Sequence, residues 1–481
     1  MSFEGPPREA ITPSGGSEPR AAGSMGAHTS FEGPPREAIT PSGGSEPRTA
    51  GSMGAHTSFE GPPQAGTAPT GGSEPERAFS LAAERLLLGR MLASVGNPPL
   101  RVLLWDGQEI GDSANPQAPR LVIADRAALL KLMADPEYRF GELYVTRRID
   151  VQGDLCEFLE ILFRALPRPR TMGMKERLLA PLRVRRNPPQ RALENIHHHY
   201  DIGNPFYRLW LDPQLVYTCA YFADPQATLE QAQIGKMDYI CRKLRLRPGE
   251  TVVEAGCGWG ALALHMARHH GVRVRAYNLS GEQLEHARAQ AREQGLQDRV
   301  EFVQRDYRTI DGRFDAFVSV GMLEHVGLDD YAELGALIHR CLAPQGRGLI
   351  HSIGRDQAGS MNAWIERHIF PGACPPSLSQ MMTLFEPNGL SVLDVENLRL
   401  HYARTLEHWL SRFDAASAQV QQLFDADFVR TWRLYLAGSL ASFRAGDLQL
   451  YQVAFSRNGC NHIPWSRHDL YATNGSADAT L

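Results

Sequence analysis

The sequence predicts an α/β protein built on a doubly wound parallel sheet, and two observations carry this prediction. An apolar pair, Val252–Val253, is followed by an acid, by glycines at every second position and then by a helical run, residues 261–268. Strand-like segments follow at residues 273–278, 300–306 and 314–320. Strands that alternate with helices are typical of a parallel sheet covered by helices on both faces.

The glycine loop, residues 254–260, is the stretch around which this domain is organised. Its glycines allow a turn that residues with a Cβ atom rarely make, and the first amides of the following helix face that turn. It is neither a G-x-G-x-x-G dinucleotide loop nor a phosphate loop ending in G-K-[ST]. The E-x-G-x-G-x-G spacing of the glycine loop, with Glu254 placed to meet an ammonium group, resembles motif I of S-adenosylmethionine (SAM) methyltransferases. The alternative is that the loop is only a structural turn between a strand and a helix.

Composition sets limits on the class of protein. The 481 residues, 43% of them hydrophobic, leave room for two or three domains, and the net charge of −4 argues against general nucleic-acid binding. Seven scattered cysteines without a C-x-x-C pair indicate a reducing compartment, so no cysteine is assigned as a metal ligand. Without a long apolar run or an export signal, the sequence predicts a cytoplasmic protein that does not span a membrane.

The chain is predicted to contain five regions. Residues 1–76 repeat Ser-Phe-Glu-Gly-Pro-Pro with a period of 28 and are too poor in apolar residues to fold, so they are expected to be disordered. Residues 77–163 read as a small α+β module: a helix at 77–92, strands at 101–105 and 119–124, a helix at 126–134, then segments 140–145 and 149–154. A basic linker at 164–191, a catalytic domain at 192–471 and a disordered tail at 472–481 complete the chain.

The basic linker contains nine Arg or Lys residues and one acid, Glu176, interleaved with apolar residues. A solvated linker is one reading of this pattern. The other is docking to an anionic membrane surface, to which each cation can contribute about 1 kcal/mol. The three histidines that follow, residues 197–199, are adjacent and cannot face one common ligand, so no metal site is predicted there.

A more specific resemblance begins after these histidines. The segments His199-Tyr-Asp-Ile-Gly-Asn204 and Tyr217-Thr-Cys-Ala-Tyr-Phe222 are similar to the cyclopropane fatty acid synthase and mycolic acid cyclopropane synthase family, and the match continues to about Arg457. It implies a SAM-methyltransferase fold, with residues 77–163 as a lipid-associated N-terminal domain. A packing or dimerisation module is the alternative for that domain.

The resemblance and the strand ends together predict the cofactor site. Asn278, with Gln283 five residues later, occupies the position where many methyltransferases place an acid for the ribose hydroxyls. Asp306 suits an adenine amino group and Tyr307 its ring face. The expected cofactor-binding residues are Tyr217, Thr218, Glu254, Gly256, Cys257, Gly258, Gly260, Asn278, Ser280, Gln283, Asp306 and Tyr307.

The resemblance also implies a catalytic base. In this family a bound bicarbonate deprotonates the carbocation that forms when a double bond is methylated. The corresponding residues here are Cys219, Glu324, His351, Ile353 and Tyr402. Ser439 replaces a cysteine that many family members carry, which puts a nucleophilic role at that position in doubt. Aromatic residues are candidates either for an acyl tunnel or for ordinary core: Trp364, Phe370, Tyr435, Phe443 and Tyr451.

The implied function is transfer of a methylene group from SAM to a cis double bond of phospholipid acyl chains, forming a cyclopropane ring. The expected partner is a bilayer with unsaturated chains, contacted from the cytoplasmic side of the inner membrane, and a homodimer is a further expectation. Two alternatives stay open. One is a C-methyltransferase that leaves methyl- or methylene-branched chains, and the other is a non-catalytic lipid-binding protein.

Overall fold

The structure is a computed structural model that describes residues 74–112, 115–166 and 202–471. Several sequence predictions therefore lie wholly or largely outside the described residues. These are the disordered repeats, all but the first residues of the basic linker, the histidine triplet and the C-terminal tail.

An N-terminal module precedes the main sheet. Its four strands are ordered β2-β1-β3-β4. Its elements are α1 (Glu74–Ser94), β1 (Arg101–Leu103), β2 (Glu109–Gly111), β3 (Arg120–Ile123), α2 (Arg126–Ala134), α3 (Pro136–Val145), β4 (Ile149–Gln152) and α4 (Leu155–Ala165). The helix predicted at residues 126–134 is confirmed.

Capping explains where two of these helices begin. The side chain of Asp125 accepts a hydrogen bond from Ala128 N at the start of α2, and that of Asp135 accepts one from Tyr138 N at the start of α3. Pro136 occupies the first turn of α3, where its missing N–H is not needed. Residues 140–145, whose element type the sequence leaves open, form the second half of this helix.

The main domain is organised around a seven-stranded sheet. Its strands are β5 (Thr251–Ala255), β6 (Arg273–Asn278), β7 (Val300–Gln304), β8 (Phe314–Val320), β9 (Leu342–Arg355), β10 (Leu390–Asn397) and β11 (Leu448–Arg457). They are ordered β10-β11-β9-β8-β5-β6-β7. Strands β9, β8, β5, β6 and β7 run parallel, and β11 and β10 are antiparallel to their neighbours. The predicted α/β class and its doubly wound sheet are confirmed.

Helices cover both faces of this sheet. They are α5 (Asn204–Tyr207), α6 (Leu229–Leu244), α7 (Ala261–His270), α8 (Gly281–Glu293), α9 (Tyr331–Cys341), α10 (Ala363–His368), α11 (Leu378–Phe385), α12 (Arg399–Ala415), α13 (Ser417–Leu423), α14 (Ala426–Ala445) and α15 (His468–Tyr471). Among the helices of the described ranges, none is both long enough and apolar enough to cross a bilayer.

The strand order places a crevice at the carboxyl edge of the sheet. The chain runs outward from β5 through β6 to β7 and then returns to β8, on the other side of β5. Ligands of doubly wound sheets bind at such a switch point, outside the carboxyl ends of the strands. The glycine loop after β5 and the 321–327 segment after β8 therefore converge on one place.

The N-terminal module packs against the helices that close the main domain. Arg430 on α14 donates to the backbone oxygen of Tyr144 and pairs with Asp150. The glycine at position 141, on α3, lies against the buried indole of Trp364 on α10. The two parts of the described chain thus share one hydrophobic core.

We expect Gly141→Ala to destabilise the protein, because the added Cβ would overlap the Trp364 indole. Overpacking of this kind costs about 1–3 kcal/mol. Gly89→Ala on α1 is the control, since a Cβ there meets nothing within 4 Å and alanine is the better helix former. Thermal unfolding should show a lower Tm for the first variant only. Equal Tm values would mean that the α3–α10 contact is loose.

Candidate active site

A cavity opens at the carboxyl ends of β5, β6, β7 and β8. Ten of the twelve predicted cofactor residues line it: Tyr217, Thr218, Glu254, Gly256, Cys257, Gly258, Asn278, Gln283, Asp306 and Tyr307. These ten residues come from four separate segments of the chain, 217–218, 254–258, 278–283 and 306–307. The crevice expected from the strand order is thus a single cavity bordered by the glycine loop.

The glycine loop has the backbone that the sequence predicts. Gly256, Gly258 and Gly260 have φ values of 81°, 51° and 83°, in the left-handed region that favours glycine. A Cβ built on Gly258 meets no atom within 4 Å, so it would extend into the cavity. The first turn of α7 has no capping side chain, which leaves its amides available to a ligand.

The other two predicted cofactor residues have packing roles beside the cavity. A Cβ on Gly260 would lie 2.8 Å from both Ala287 and Phe302, so glycine is needed there for helix packing. The buried hydroxyl of Ser280 caps α8 by accepting from Gln283 N at 3.4 Å. Neither residue lines the cavity.

The polar pair after β6 is assembled as expected. Asn278 Nδ2 donates to Gln283 Oε1 at 2.7 Å and to the backbone oxygen of Gly258 at 3.3 Å. These bonds fix the amide of Asn278 between the glycine loop and α8. Two amide side chains therefore line the wall where an acid is common in other methyltransferases.

The pair after β7 is engaged with a neighbouring cation. Asp306 accepts from Arg308 N and forms an ion pair with the Arg308 guanidinium at 2.9 Å. That guanidinium also lies over the Tyr307 ring, 4.9 Å from its centroid. Both predicted adenine contacts line the cavity, and Arg308 holds them in place.

Two buried ionisable residues, Lys236 and Glu254, line the cavity. The Lys236 ammonium donates to Thr218 Oγ1 at 2.9 Å, and burial lowers the Lys236 pKa to about 8. Burial raises the pKa of the Glu254 carboxyl to about 8, and Lys236 opposes that rise. Glu254 Oε2 has no hydrogen-bond partner among the described residues. A buried carboxylate oxygen without a partner fits the incoming ammonium group expected from the sequence.

Lys236 was missed by the sequence analysis, although the sequence contains a signal for it. Along α6 the buried stripe reads Leu229, Ala232, Gln233, Lys236, Met237, Ile240, Cys241 and Leu244, so two polar residues occupy apolar positions. Gln233 Nε2 donates to the backbone oxygens of Val216 and Thr218. Both polar residues thus fix the segment that carries Tyr217 and Cys219.

Of the five residues implied for the base, Glu324 has the most distinctive environment. It lies in a short turn after β8 and is 6% exposed. Ser352 Oγ donates to Glu324 Oε2 at 2.8 Å. Burial raises the Glu324 pKa to about 7, because desolvation outweighs hydrogen bonds from Ser352 and the Ile353 backbone. The next residue, His325, lines the cavity, and burial lowers its pKa to about 4.

His351 and Ile353 lie on β9 beside this carboxyl. The backbone oxygen of His351 accepts from Gly321 N at 2.9 Å. The buried Nδ1 of the His351 side chain is 3.0 Å from Gln452 Nε2. His351 Nε2 is buried and has no hydrogen-bond partner in the described part of the chain. Burial and the nearby ammonium of Lys236 hold the pKa of this imidazole well below its usual value, so it is neutral.

Cys219 and Tyr402 approach from the other side. Burial raises the pKa of the Cys219 thiol, and Lys236 opposes the rise. Thr405 Oγ1 on α12 accepts from Ala220 N at 3.0 Å, and Tyr402 lies one turn earlier on the same helix. Thr405 therefore joins the segment that carries Cys219 to the helix that carries Tyr402, whereas Glu324, His351 and Ile353 form a second group on and beside β9.

These five residues lie behind the cavity wall, since none of them lines the cavity itself. Gly321, at the end of β8, connects the two regions. A Cβ at that position would lie 2.8 Å from Thr218 Cγ2 and 4.0 Å from Glu324 Oε1. Lys236 is electrostatically coupled to Cys219 and to His351, which links the two groups.

Aromatic side chains enclose this region. The hydroxyls of Tyr217 and Tyr435 are 2.7 Å apart, Phe370 packs edge-on against Tyr435, and Phe443 packs on Tyr402. Only Phe370 of the five predicted aromatic residues lines the cavity, whereas Trp364 packs on α3 and Tyr451 packs near Gly354. Ser439 lies half-buried on α14.

An aromatic cluster that was not predicted from the sequence surrounds Tyr217. It consists of Tyr207, Trp210, Trp259 and Trp409.

Fold and cavity together define a SAM-dependent methyltransferase. The family described as mycolic acid cyclopropane synthetase matches residues 187–453, and a domain of unknown function matches residues 87–166. The chain belongs to the mycolic acid cyclopropane synthetase family.

Individual relatives agree with this assignment. A probable fatty acid methyltransferase of Pseudomonas putida is 36% identical over 388 residues, which cover 78% of this chain and 96% of the relative. The cyclopropane-fatty-acyl-phospholipid synthase of Escherichia coli K12 is 41% identical over 270 residues, 56% of this chain and 69% of the relative. The solved mycolic acid cyclopropane synthase CmaA1, complexed with SAH and CTAB, is 31% identical with a TM-score of 0.53, covering 55% of this chain and 98% of that one. The chain is therefore an enzyme that acts on lipid acyl chains.

We expect Gly258→Val to abolish SAM binding, because its side chain would occupy the open cradle and its φ of 51° disfavours a β-branched residue. Gly249→Val is the matched control: it has a φ of 87° and open space around it, but lies on the surface before β5. Calorimetric titration should show no SAM binding for the first variant and wild-type affinity for the second. Wild-type affinity in folded Gly258→Val would exclude the cradle as the cofactor site.

Proposed function

We propose that this enzyme transfers a methylene group from SAM to a cis double bond of unsaturated acyl chains in membrane phospholipids and forms a cyclopropane ring. The observation that carries the proposal is the buried carboxyl of Glu324, which accepts from Ser352 on β9, next along the strand to His351, whose buried Nε2 has no partner in the described chain. The E. coli relative named cyclopropane-fatty-acyl-phospholipid synthase supports the substrate class.

The cavity residues fit SAM in separate ways. Glu254 would accept the amino group, because its Oε2 is buried without a hydrogen-bond partner in the described chain. The α7 amides would face the carboxylate, the Asn278–Gln283 pair the ribose, and Asp306 with Tyr307 the adenine. When bound, SAM supplies a methyl group activated by a sulfonium. The CmaA1 structure, which is complexed with SAH, supports this assignment.

The substrate's chemistry explains why a dry site with a base is needed. An isolated double bond has no acidic proton, so addition of a methyl cation leaves a carbocation on the acyl chain. Ring closure then requires loss of a proton from the new methyl group, and water would capture the cation instead. The aromatic side chains of Tyr217, Phe370 and Tyr435 would exclude water and stabilise positive charge with their ring faces.

We propose that bicarbonate is the base and that the five residues behind the cavity hold it. If Gln452 Nε2 donates to His351 Nδ1, the imidazole proton lies on Nε2, which is then a buried donor that lacks an acceptor in the described chain. Cys219, Tyr402 and the Ile353 amide would supply further donors, and Glu324 would orient the group. The ammonium of Lys236, coupled to Cys219 and His351, would compensate the anion's charge.

A second candidate is supported by other relatives. The Pseudomonas relative is named a probable fatty acid methyltransferase, and a Mycobacterium tuberculosis relative, 32% identical over 398 residues, is named a tuberculostearic acid methyltransferase. A C-methyltransferase would form the same carbocation but lose a different proton, which leaves a methylene-branched chain. A saturated methyl branch requires in addition a hydride from a separate reductant. Mass spectrometry of lipids from expressing cells separates the products. A gain of CH2 indicates a ring or a methylene branch, a gain of CH4 a saturated methyl branch, and NMR of the product distinguishes ring from branch.

We expect Glu324→Gln to lower turnover by roughly 10²-fold, the usual scale for losing general-base function, because the bicarbonate base would lose the carboxylate that orients it, while SAM binding survives. Because burial raises the Glu324 pKa to about 7, the wild-type carboxyl becomes protonated and ineffective as pH falls below that value. Wild-type kcat/KM should therefore fall below about pH 7, and the variant should lose this dependence.

The matched control is Glu333→Gln, an exposed carboxyl on α9, which should keep wild-type turnover and pH dependence. Both variants are assayed with and without added bicarbonate. A Glu324→Gln enzyme with wild-type turnover, products and pH profile would show that the deprotonating group lies elsewhere.

We propose that the enzyme docks on the cytoplasmic surface of the inner membrane through the basic run at residues 164–191. Replacing Arg183, Arg185 and Arg186 by Gln should weaken salt-sensitive binding to anionic vesicles and leave SAM affinity unchanged. Replacing the exposed Arg292, Arg299 and Arg340 instead removes the same charge and should leave vesicle binding intact. Equal co-sedimentation with neutral and anionic vesicles at low salt would show that the basic run is only a linker and does not dock on the membrane.

A further inference from the structure

A second cavity lies beside the main-domain helices α6 and α7, with a volume of about 870 Å³. Imidazoles are concentrated on its wall: His265, His269, His270 and His286. Among the residues that the structure describes, Trp259 and Ala261 are the two that line both this cavity and the cofactor cavity. None of these histidines has a role in the methyl transfer proposed above.

Behind this wall is a buried thiol. Cys241 on α6 is fully buried, and one ligating atom from each of Cys241, His265 and His270 lies within 4.8 Å of the other two. Tetrahedral zinc with bonds of about 2.0–2.3 Å to nitrogen and sulfur separates its ligands by about 3.3–3.8 Å. Because the atoms lie at most 4.8 Å apart, each pair needs to converge by at most about 1.5 Å, which small side-chain rotations can supply.

A carboxylate beside the cluster orients one of these imidazoles. His265 Nε2 lies 2.8 Å from Asp238 Oδ1, and His265 is 7% exposed. A histidine whose one nitrogen donates to a carboxylate presents the lone pair of its other nitrogen to a metal, and such carboxylate–histidine pairs accompany protein zinc sites. If Nε2–H donates to Asp238, the lone pair of His265 Nδ1 is the one left to bind a metal.

We propose that Cys241, His265 and His270 form a zinc site, with Asp238 orienting His265 and a water molecule from the cavity as fourth ligand. Zinc favours thiolate and imidazole ligands, and three protein ligands with one open position are a common arrangement. Arg242 and Arg268 also line the cavity, so a bound cation needs negative charge close to it. The Cys241 thiolate, which zinc keeps deprotonated, and the Asp238 carboxylate supply that charge.

The site would join the C-terminal ends of two helices. Cys241 lies in the last turn of α6, and His270 is the final residue of α7. No cysteine ligand was predicted from the sequence, which contains no C-x-x-C pair. His265 and His270, however, follow Cys241 by 24 and 29 residues, and it is the fold that brings the three together.

The test is the zinc content of the full-length protein, purified without a histidine tag and measured by elemental mass spectrometry before and after addition of zinc and gel filtration. We expect about one zinc per chain. Cys241→Ser and His270→Ala should each lose most of it. Cys341→Ser is the matched control, because Cys341 is an equally buried thiol at the end of α9 and should leave the zinc content unchanged.

Replacing His197, His198 and His199 by Ala removes the adjacent histidines as a competing source of metal and should also leave the zinc in place. With cobalt(II) in place of zinc, the thiolate-to-cobalt absorption band should vanish in Cys241→Ser and persist in Cys341→Ser. Calorimetric SAM binding confirms that each variant is folded, and His270→Ala decides the matter if Cys241→Ser does not fold.

Two results would overturn the proposal. One is a zinc content far below one per chain even after reconstitution. The other is zinc that persists in His270→Ala or disappears only with the 197–199 triplet.

Discussion

The buried ammonium of Lys236 is the charge on which the arrangement of the active site depends. A cation enclosed by protein is tolerated only where acceptors and anions compensate its lost hydration. Thr218 Oγ1 accepts from it, and the Asp212 and Glu254 carboxylates favour its charged form. Because these partners lie on different segments, one charge holds α6, the 212–218 segment and the end of β5 together.

The charge of the Lys236 ammonium also links the cofactor cavity to the residues behind it. Lys236 lines the cavity, yet its ammonium also acts on the Cys219 thiol and the His351 imidazole. Both groups are neutral in this structure, since burial raises the pKa of Cys219 and lowers that of His351. A positive charge among neutral donors creates a binding preference for a small anion. This preference is the physical basis for placing the proposed bicarbonate there.

Much of the cofactor cavity could be predicted from sequence because its residues follow strand ends at short range. Gly258 and Asn278 lie directly after β5 or at the end of β6, so the strand pattern alone brings them to one edge. Gly260 and Ser280 occupy the same stretches but pack against neighbouring elements, which no local pattern distinguishes from ligand contact. The helix at 140–145 was left undetermined because the capping Asp135 lies before the segment considered.

Long-range contacts set the limit of that prediction. The Thr405–Ala220 hydrogen bond, which ties the helix of Tyr402 to the segment of Cys219, joins residues 185 positions apart. Only the family resemblance indicated that Tyr402 and Cys219 belong to one site. Lys236 resembles an ordinary surface lysine until the buried stripe of α6 is considered. The cysteine–histidine cluster depends on the packing of α6 against α7, so residue spacing alone does not reveal it.

Helix α7 connects the cofactor cavity to the proposed zinc site. Its first amides face the glycine loop, and His270 is the last residue of this ten-residue helix, which is about 15 Å long. A helix of that length, if isolated, is marginally stable in water, so its position relies on packing and on what holds its ends. The cofactor would satisfy the N-terminal amides, whereas the proposed metal would tie the C-terminal turn to α6. Fixing the far end of α7 keeps its N-terminal amides directed at the cavity, which reduces the ordering that cofactor binding must otherwise impose.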